Sequence, residues 1–314
     1  MEGHISNKYA KFITSRPYSY SEDDLENITQ LLTMKANNIK LVLVGDIDQL
    51  PSVGPGQLLH DLISSNTLSV VKLKELYRQG KDSNIISLAY DVRNGEVNPQ
   101  IFNKEQDLTF INCTVEQAIT NIKEIATTYK DYSYKNFQIL APMYKTLAGI
   151  DEINNHLQNI FNPKSNSKKE LRIGEVTFRE QDKVIQLTNM PDDNVYNGDI
   201  GIIDRIITSP KKEIHIDFDG NIVKYTPTNF NCFRLAYAIS IHKAQGSEFD
   251  IVIMPIVRNY GKMLYRKLMY TGITRSKKQL YLIGDLKALD IAVANTQTDI
   301  RRTTIKDFLI NGIK

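Results

Sequence analysis

A change of rhythm near residue 171 constrains this chain more than any other feature. Before it, short apolar runs alternate with segments of helical period. "IKLVLVGD" reads as a buried parallel strand, "GQLLHDLI" as the helix that follows, and "VVKLKELYRQ" as a second strand running into a loop. "SEDDLENITQLLTM" places Leu25, Ile28, Leu31 and Leu32 on one helical stripe, with Ser21 as cap and Asp23 and Asp24 in the first turn. "DSNIISLAYDVRNG" is a helix capped by Asp82 or Ser83 and stopped at Gly95. "TVEQAITNIKEIATTYK" and "LAGIDEINNHLQNIFNP" are helices flanking the strand "FQILAP". Strands alternating with helices predict an α/β fold with a doubly wound parallel sheet.

From 171 to 232 the text becomes short β-rich runs, "EVTFREQDKVIQLTN", "VYNGDIGIIDRIITS", "KEIHIDFDG" and "IVKYTP". They are separated by the turn signals "PDDN", "NGD", "SPKK" and "FDGN", which predicts a small antiparallel β-barrel inserted in the α/β unit. "NPKSNSKKE" at its entrance reads as a solvated linker. After Phe233 the parallel style returns in "LAYAISIHKAQGSEFDIVIMPI", a helix near "YRKLMYTGITRS" and the strand "KQLYLIGD". The expected organisation is therefore 1–70, 71–170, the insert 171–232, and 233–314.

The chain has 314 residues and a net charge of +3, from 39 Lys and Arg against 36 Asp and Glu. That balance is too even to argue for nucleic acid by itself, so any basic surface must be local. Two cysteines, Cys113 and Cys232, without metal-ligand spacing point to a reducing compartment and no structural zinc. The first residues lack an apolar core of signal-peptide length, and no run of about 18 apolar residues occurs. A cytoplasmic or nucleoid-associated protein is the expectation.

In open α/β sheets ligands bind outside the carboxyl ends of strands, and four polar clusters fall near such ends: "GDIDQLPS", "LYRQ", "HKAQGSEFD" and "YTGITRSKK". Each has a plain reading. Gly45-Asp46 suits a simple turn, Arg78 an ordinary surface arginine, His242-Lys243 a solvated loop, and Arg275 with Lys277 and Lys278 a helix C-terminal turn. Together they suit phosphate. Arg78 and Arg275 offer planar, permanently charged forks. Gln49 has the chemistry to orient a water or bond a terminal phosphate, Gly246 and Ser247 open backbone N–H groups, and Glu248 is an acceptor for a ribose hydroxyl. Lys183, Arg205, Lys211, Lys212 and Lys224 give the barrel cations that would suit a nucleic-acid backbone.

The order and spacing of these segments from 39 to 285 resemble RecD-like superfamily 1 DNA helicases. "GDIDQLPSVGPGQLLHDLI" is similar to motif III of that family, "LKELYRQ" to motif IV, "YAISIHKAQGSEFDIVIMP" to motif V and "LMYTGITRSKKQLYLIGD" to motif VI. "DKVIQLTNMPDDNVYNGDIGII" resembles the opening of the small SH3-like barrel inserted in the second RecA-like motor domain. The resemblance implies 5′-to-3′ movement on single-stranded DNA driven by ATP and Mg2+. It implies that Gln49 senses the terminal phosphate, that Arg78 and Arg275 contact the γ-phosphate with Arg275 as arginine finger, and that Asp46, Gly246 and Glu248 lie near the nucleotide. Pro51, Ser52, His242 and Lys243 fall where relatives track single-stranded DNA.

One departure is large. The only Gly-Lys pairs, Gly80-Lys81 and Gly261-Lys262, have neither the preceding Gly nor the following Ser or Thr of G-x-x-x-x-G-K-[ST]. The only Asp-Glu dipeptide, Asp151-Glu152, opens a predicted helix, where capping is the better reading. Residues 1–70 are expected to be the end of a first motor domain that is otherwise missing. A truncated or split product fits best; a degenerate relative, or a missing half supplied by another chain or by helicase–nuclease subunits, stays open. This chain alone is expected to bind neither ATP nor Mg2+ tightly.

Overall fold

The computed structural model describes residues 43–51, 57–72, 83–103, 106–296 and 305–311. The helix expected at 21–34, together with Ser52 and Arg78, lies outside the described residues.

Five parallel strands form the central sheet, in the order β1-β12-β11-β2-β10. They are β1 (Leu108–Asn112), β2 (Phe137–Ala141), β10 (Ala238–Ser240), β11 (Phe249–Ile256) and β12 (Ser276–Gly284). All five residues of β2 are buried, as are seven of the eight in β11, which is why they read as continuous apolar runs. Helices α1 (Leu58–Ser64), α2 (Asn84–Asn94), α3 (Val115–Thr128), α4 (Ile150–Phe161), α5 (Arg266–Ile273), α6 (Leu286–Ala294) and α7 (Ile305–Asn311) complete the α/β part. α3 packs on α4, while α5 packs on both α2 and α6.

Local chemistry sets the helix ends. The Ser83 hydroxyl accepts from Ile86 N at 3.3 Å, and Gly95, at φ 91°, closes α2 with its N–H on Asp91 O and Val92 O. α3 starts in a capping box of Thr114 and Gln117 and buries Ala118, Ile122 and Ala126, one face at a spacing of four. Asp151 and Glu152 lie in the first turn of α4, favourable to its dipole.

Between α4 and β10 runs the insert. Strands β5 (Lys183–Gln186), β6 (Ile200–Ile207), β7 (Glu213–Phe218), β8 (Asn221–Tyr225) and β9 (Phe233–Leu235) form an antiparallel sheet in the order β8-β7-β6-β5-β9, beside the hairpin β3 (Glu170–Ile173) and β4 (Val176–Arg179). Ile214, Ile216 and Phe218 alternate inward along β7. Phe233 packs against the rings of Phe178 and Tyr225 at 5.1 and 4.9 Å. The antiparallel pairing runs through Val184↔Leu235, three residues beyond Cys232.

Two expectations change. The described part of "IKLVLVGD" is not a strand, and Leu43 and Val44 are 52% and 78% exposed. Nor does "VVKLKELYRQ" begin as a strand, since Val70 and Val71 are exposed. A buried parallel strand needs hydrogen-bonded neighbours, and among the described residues every strand of the parallel sheet comes from 108–284. Conversely, "LTFIN" forms the edge strand β1, which sequence reading passed over.

The insert is joined to the parallel sheet through two adjacent buried charges. Asp182 accepts from Gln158 and Asn162 of the α4 end at 2.6 and 2.7 Å, from Arg179 N at 2.7 Å and from Tyr237 OH at 2.9 Å. Burial pushes its carboxyl up from the usual range, and these donors oppose that. Lys183 is 4% exposed, and its Nζ donates to Tyr134 O, Phe137 O and Gln138 Oε1 at 2.7, 3.0 and 2.8 Å. Lys183 is therefore not among the barrel's nucleic-acid-facing cations: it is committed to the joint. Burial pushes it down to about 7. Three acceptors call for the three protons of the ammonium, which favours the charged form against that push.

Candidate functional site

The loop 46–51 reaches the parallel sheet through its polar atoms. Asp46 accepts from Asp48 N at 3.0 Å and from Gln49 Nε2 at 3.1 Å, which closes the turn. Tyr270 OH donates to the same carboxylate at 3.1 Å, tying the turn to α5; burial and then Asp46 push that phenol up. Leu50, buried, donates its N–H to Thr271 Oγ1 at 2.8 Å, and its carbonyl accepts from Gln245 Nε2 at 2.7 Å.

Arg275 stands at the centre of this interlock and is 3% exposed. Its Nη2 donates to Gln49 Oε1 at 3.0 Å, its Nη1 to Ser247 O at 3.1 Å and its Nε to Thr271 O at 3.1 Å. Leu264, Leu268 and Ile273, all buried, anchor the helix that delivers it. One guanidinium thus gathers the first, third and fourth polar clusters of the sequence. Gly246 lies one residue before Ser247 with φ 80°, a backbone state that suits glycine. Glu248 is paired with Lys277 at 3.2 Å. Pro51 is half-buried at the end of the described loop.

The expectation that the clusters sit at carboxyl ends needs correction. Arg275 immediately precedes β12, and Ser247 and Glu248 immediately precede β11, so the interlock lies at the amino ends of two strands whose first residues pair, Phe249↔Ser276. Loop 241–248 explains the misreading. It leaves the carboxyl end of β10 and arrives at the amino end of β11. A parallel crossover this short carries one polar segment past the whole height of the sheet.

His242 and Lys243 occupy the other end of that loop. Both are half-buried, and burial pushes both downward. Lys243 Nζ donates to Asn197 Oδ1 of the barrel turn between β5 and β6. The roles of Gln245, Thr271, Tyr270 and Asn197 escaped sequence reading. All four lie inside motif-like segments, but only the fold shows that the first three hold the Gln49 loop and that Asn197, in the "NGD" turn, meets Lys243. Among the described residues no three His, Cys, Asp or Glu side chains gather to hold a metal ion.

A parallel sheet with flanking helices, an inserted SH3-like barrel and a buried arginine at an interlock of polar loops define a RecA-like motor domain of the superfamily 1 helicase kind. Residues 153–218 match the model of the ATP-dependent RecD-like DNA helicase SH3 domain, 235–283 that of the UvrD-like helicase C-terminal domain, and 20–116 that of an AAA domain. The chain is 32% identical over 276 residues to the ATP-dependent RecD2 DNA helicase of Deinococcus radiodurans, covering 88% of this chain and 36% of that protein. It is 25% identical over 317 residues to the RecBCD enzyme subunit RecD of Buchnera aphidicola, covering 84% of this chain and 52% of that one. The Pif1 helicase of Candida albicans has the same fold, with a TM-score of 0.50 at 17% identity over 95% of this chain and 74% of its own. The chain belongs with the RecD-like superfamily 1 DNA helicases and corresponds to their C-terminal part. It spans about a third of the first relative's length and about half of the second's.

Proposed function

We propose that this chain is the C-terminal portion of an ATP-dependent 5′-to-3′ DNA helicase of recombination or repair, one that grips single-stranded DNA and supplies the arginine finger. The observation that carries this reading is the convergence on Arg275 of the Gln49 loop, the Ser247 turn and the Thr271 helix end. A planar fork held by oxygens on three sides has a fixed aim. A fixed aim is what stabilising charge on a transferring phosphoryl group requires.

On this reading 71–170 and 233–314 form the second motor domain, 171–232 its insert, and 1–70 the end of the first. Arg275, Arg78 and Gln49 face the terminal phosphate of ATP; Asp46, Gly246 and Glu248 lie beside the nucleotide. Pro51, Ser52, His242 and Lys243 follow the DNA. The partner it needs is the remainder of a first motor domain, with its phosphate loop and magnesium ligands.

The absence of G-x-x-x-x-G-K-[ST] from the sequence favours a second reading for the chain by itself, a nucleic-acid-binding or assembly protein without ATPase activity. An ATPase assay with and without single-stranded DNA separates the two. The purified chain is expected to turn over ATP negligibly. DNA-stimulated turnover that vanishes in Arg275→Ala would show that the chain needs no other half.

A further inference from the structure

A second feature at the carboxyl edge of the sheet is independent of the motifs. β2 and β10 are hydrogen-bonded neighbours that end level with one another, Ala141 opposite Ser240. The two loops that leave them, 142–149 and 241–248, are therefore side by side. The first, "PMYKTLAG", carries Tyr144, the exposed Lys145 and Leu147, which is 57% exposed. Its geometry is fixed by a tight return into α4: Ile150 N donates to Met143 O at 2.9 Å and Asp151 N to Tyr144 O at 3.2 Å. A side chain at Gly149 would meet Tyr144 O at 2.3 Å, so the turn needs glycine.

Over the Tyr144 ring lies Arg234, its guanidinium carbon 5.3 Å from the ring centroid. Arg234 comes from β9, in the barrel sheet, so the pair bridges the seam between insert and motor domain. Tyr144 is part-buried against the core, whereas Arg234 is exposed. The guanidinium thus lies over the aromatic ring while its residue stays exposed. Among the described residues neither Arg234 nor Lys145 makes an ion pair with a carboxylate. Lys243, on the adjacent loop, is held by the neutral amide of Asn197.

We propose that Arg234, supported by Tyr144, is a stacking platform for one base of a single-stranded nucleic acid, with Lys145 and Lys243 beside it taking backbone phosphates. The proposal deepens the nucleic-acid reading given above and rests on it. The chemistry suits a base because a guanidinium held over a ring presents a π-compatible face, and stacking tolerates any base. It suits a single strand because inside a duplex both faces of a base are already stacked on its neighbours.

The test uses anisotropy titrations with a fluorescein-labelled oligothymidylate and an abasic oligomer of the same length, at one salt concentration. Arg234→Ala and Arg234→Lys are compared with the unaltered chain, each checked for an unchanged melting temperature, as expected at an exposed position. Both variants should weaken oligothymidylate binding about tenfold. Arg234→Lys keeps the charge and should leave the abasic oligomer within about twofold. Arg234→Lys binding oligothymidylate as the unaltered chain does, or both oligomers weakening in parallel, makes Arg234 a phosphate contact and overturns the platform. If the unaltered chain binds neither oligomer, the nucleic-acid reading itself fails.

Discussion

The cations of this chain fall into two regions that differ in what surrounds them. Arg275 and Lys183 are enclosed, each with at least three protein oxygens on its nitrogens. Lys145 and Arg234, at the carboxyl edge of β2 and β10, are exposed, and Lys243 has one neutral partner. An enclosed cation is already oriented, and an anion that reaches it must displace an existing acceptor. An open cation is available at once but contributes mainly long-range, salt-sensitive attraction. The difference teaches that charge here is used in two ways: for aim at the amino edge and the joint, and for capture at the carboxyl edge.

The largest expected effect is at Arg275. Joined to a complete first motor domain from a RecD-like relative, Arg275→Ala should lower ATP turnover by roughly 10³-fold or more while single-stranded DNA binding stays nearly unchanged. Arg275→Lys should recover little, because one ammonium does not reproduce the fork. Near-normal turnover with lost DNA binding would move Arg275 into the capture group and break the comparison.

Lys183 tests enclosure through stability. Lys183→Met leaves Tyr134 O, Phe137 O and Gln138 without their donor and should destabilise the fold by about 2–4 kcal/mol in urea melts. The sign with pH is fixed. Its folded value is pushed below the ordinary 10.5, so above about pH 7 the unfolded chain holds more protons and stability rises with pH toward about 10.4. The deficit of the variant should therefore widen between pH 7 and 10. A deficit that narrows would mean that the three acceptors outweigh burial and hold the enclosed Lys183 charged.

Lys243→Ala should weaken oligonucleotide binding a few-fold and lower the salt slope by about one counterion. Equal affinity of the unaltered chain at two salt concentrations would remove the capture role altogether. The smallest effects belong to Lys277 and Lys278, exposed and paired with Glu248 and Asp250 at 3.2 and 2.8 Å. Alanine at either should leave turnover and DNA binding within about twofold; a larger loss at Lys277 would show that its pairing positions Glu248.

Much of the fold was legible because period and punctuation agreed. Ser83 and Gly95 bracket α2, the Thr114–Gln117 box opens α3, and the turn residues of the insert separate its strands. The failures share a cause. "IKLVLVGD" has the composition of a buried strand, but composition does not supply the neighbours that would bury the exposed Leu43 and Val44. At the site, residue types marked Gln49, Ser247 and Arg275 as polar loop residues. Which edge of the sheet they reach depends on a crossover that spacing does not encode. Lys183 shows the same limit, since a lysine at the start of a strand reads as surface until the carbonyls around it are known.

The position of the barrel also governs the order of folding. β2 and β10 pair as Ile139↔Ala238, about a hundred residues apart along the chain, with the whole insert between them. Closing a flexible loop of that length costs entropy before any parallel pairing returns it. A barrel that folds first shortens the effective loop, because the two ends of its β5-to-β9 sheet are flanked by Asp182 and Tyr237, joined by a 2.9 Å hydrogen bond. The insert is then expected to act as the splint on which the last edge of the parallel sheet is laid, and mutations in its core should slow closure of a sheet they never touch.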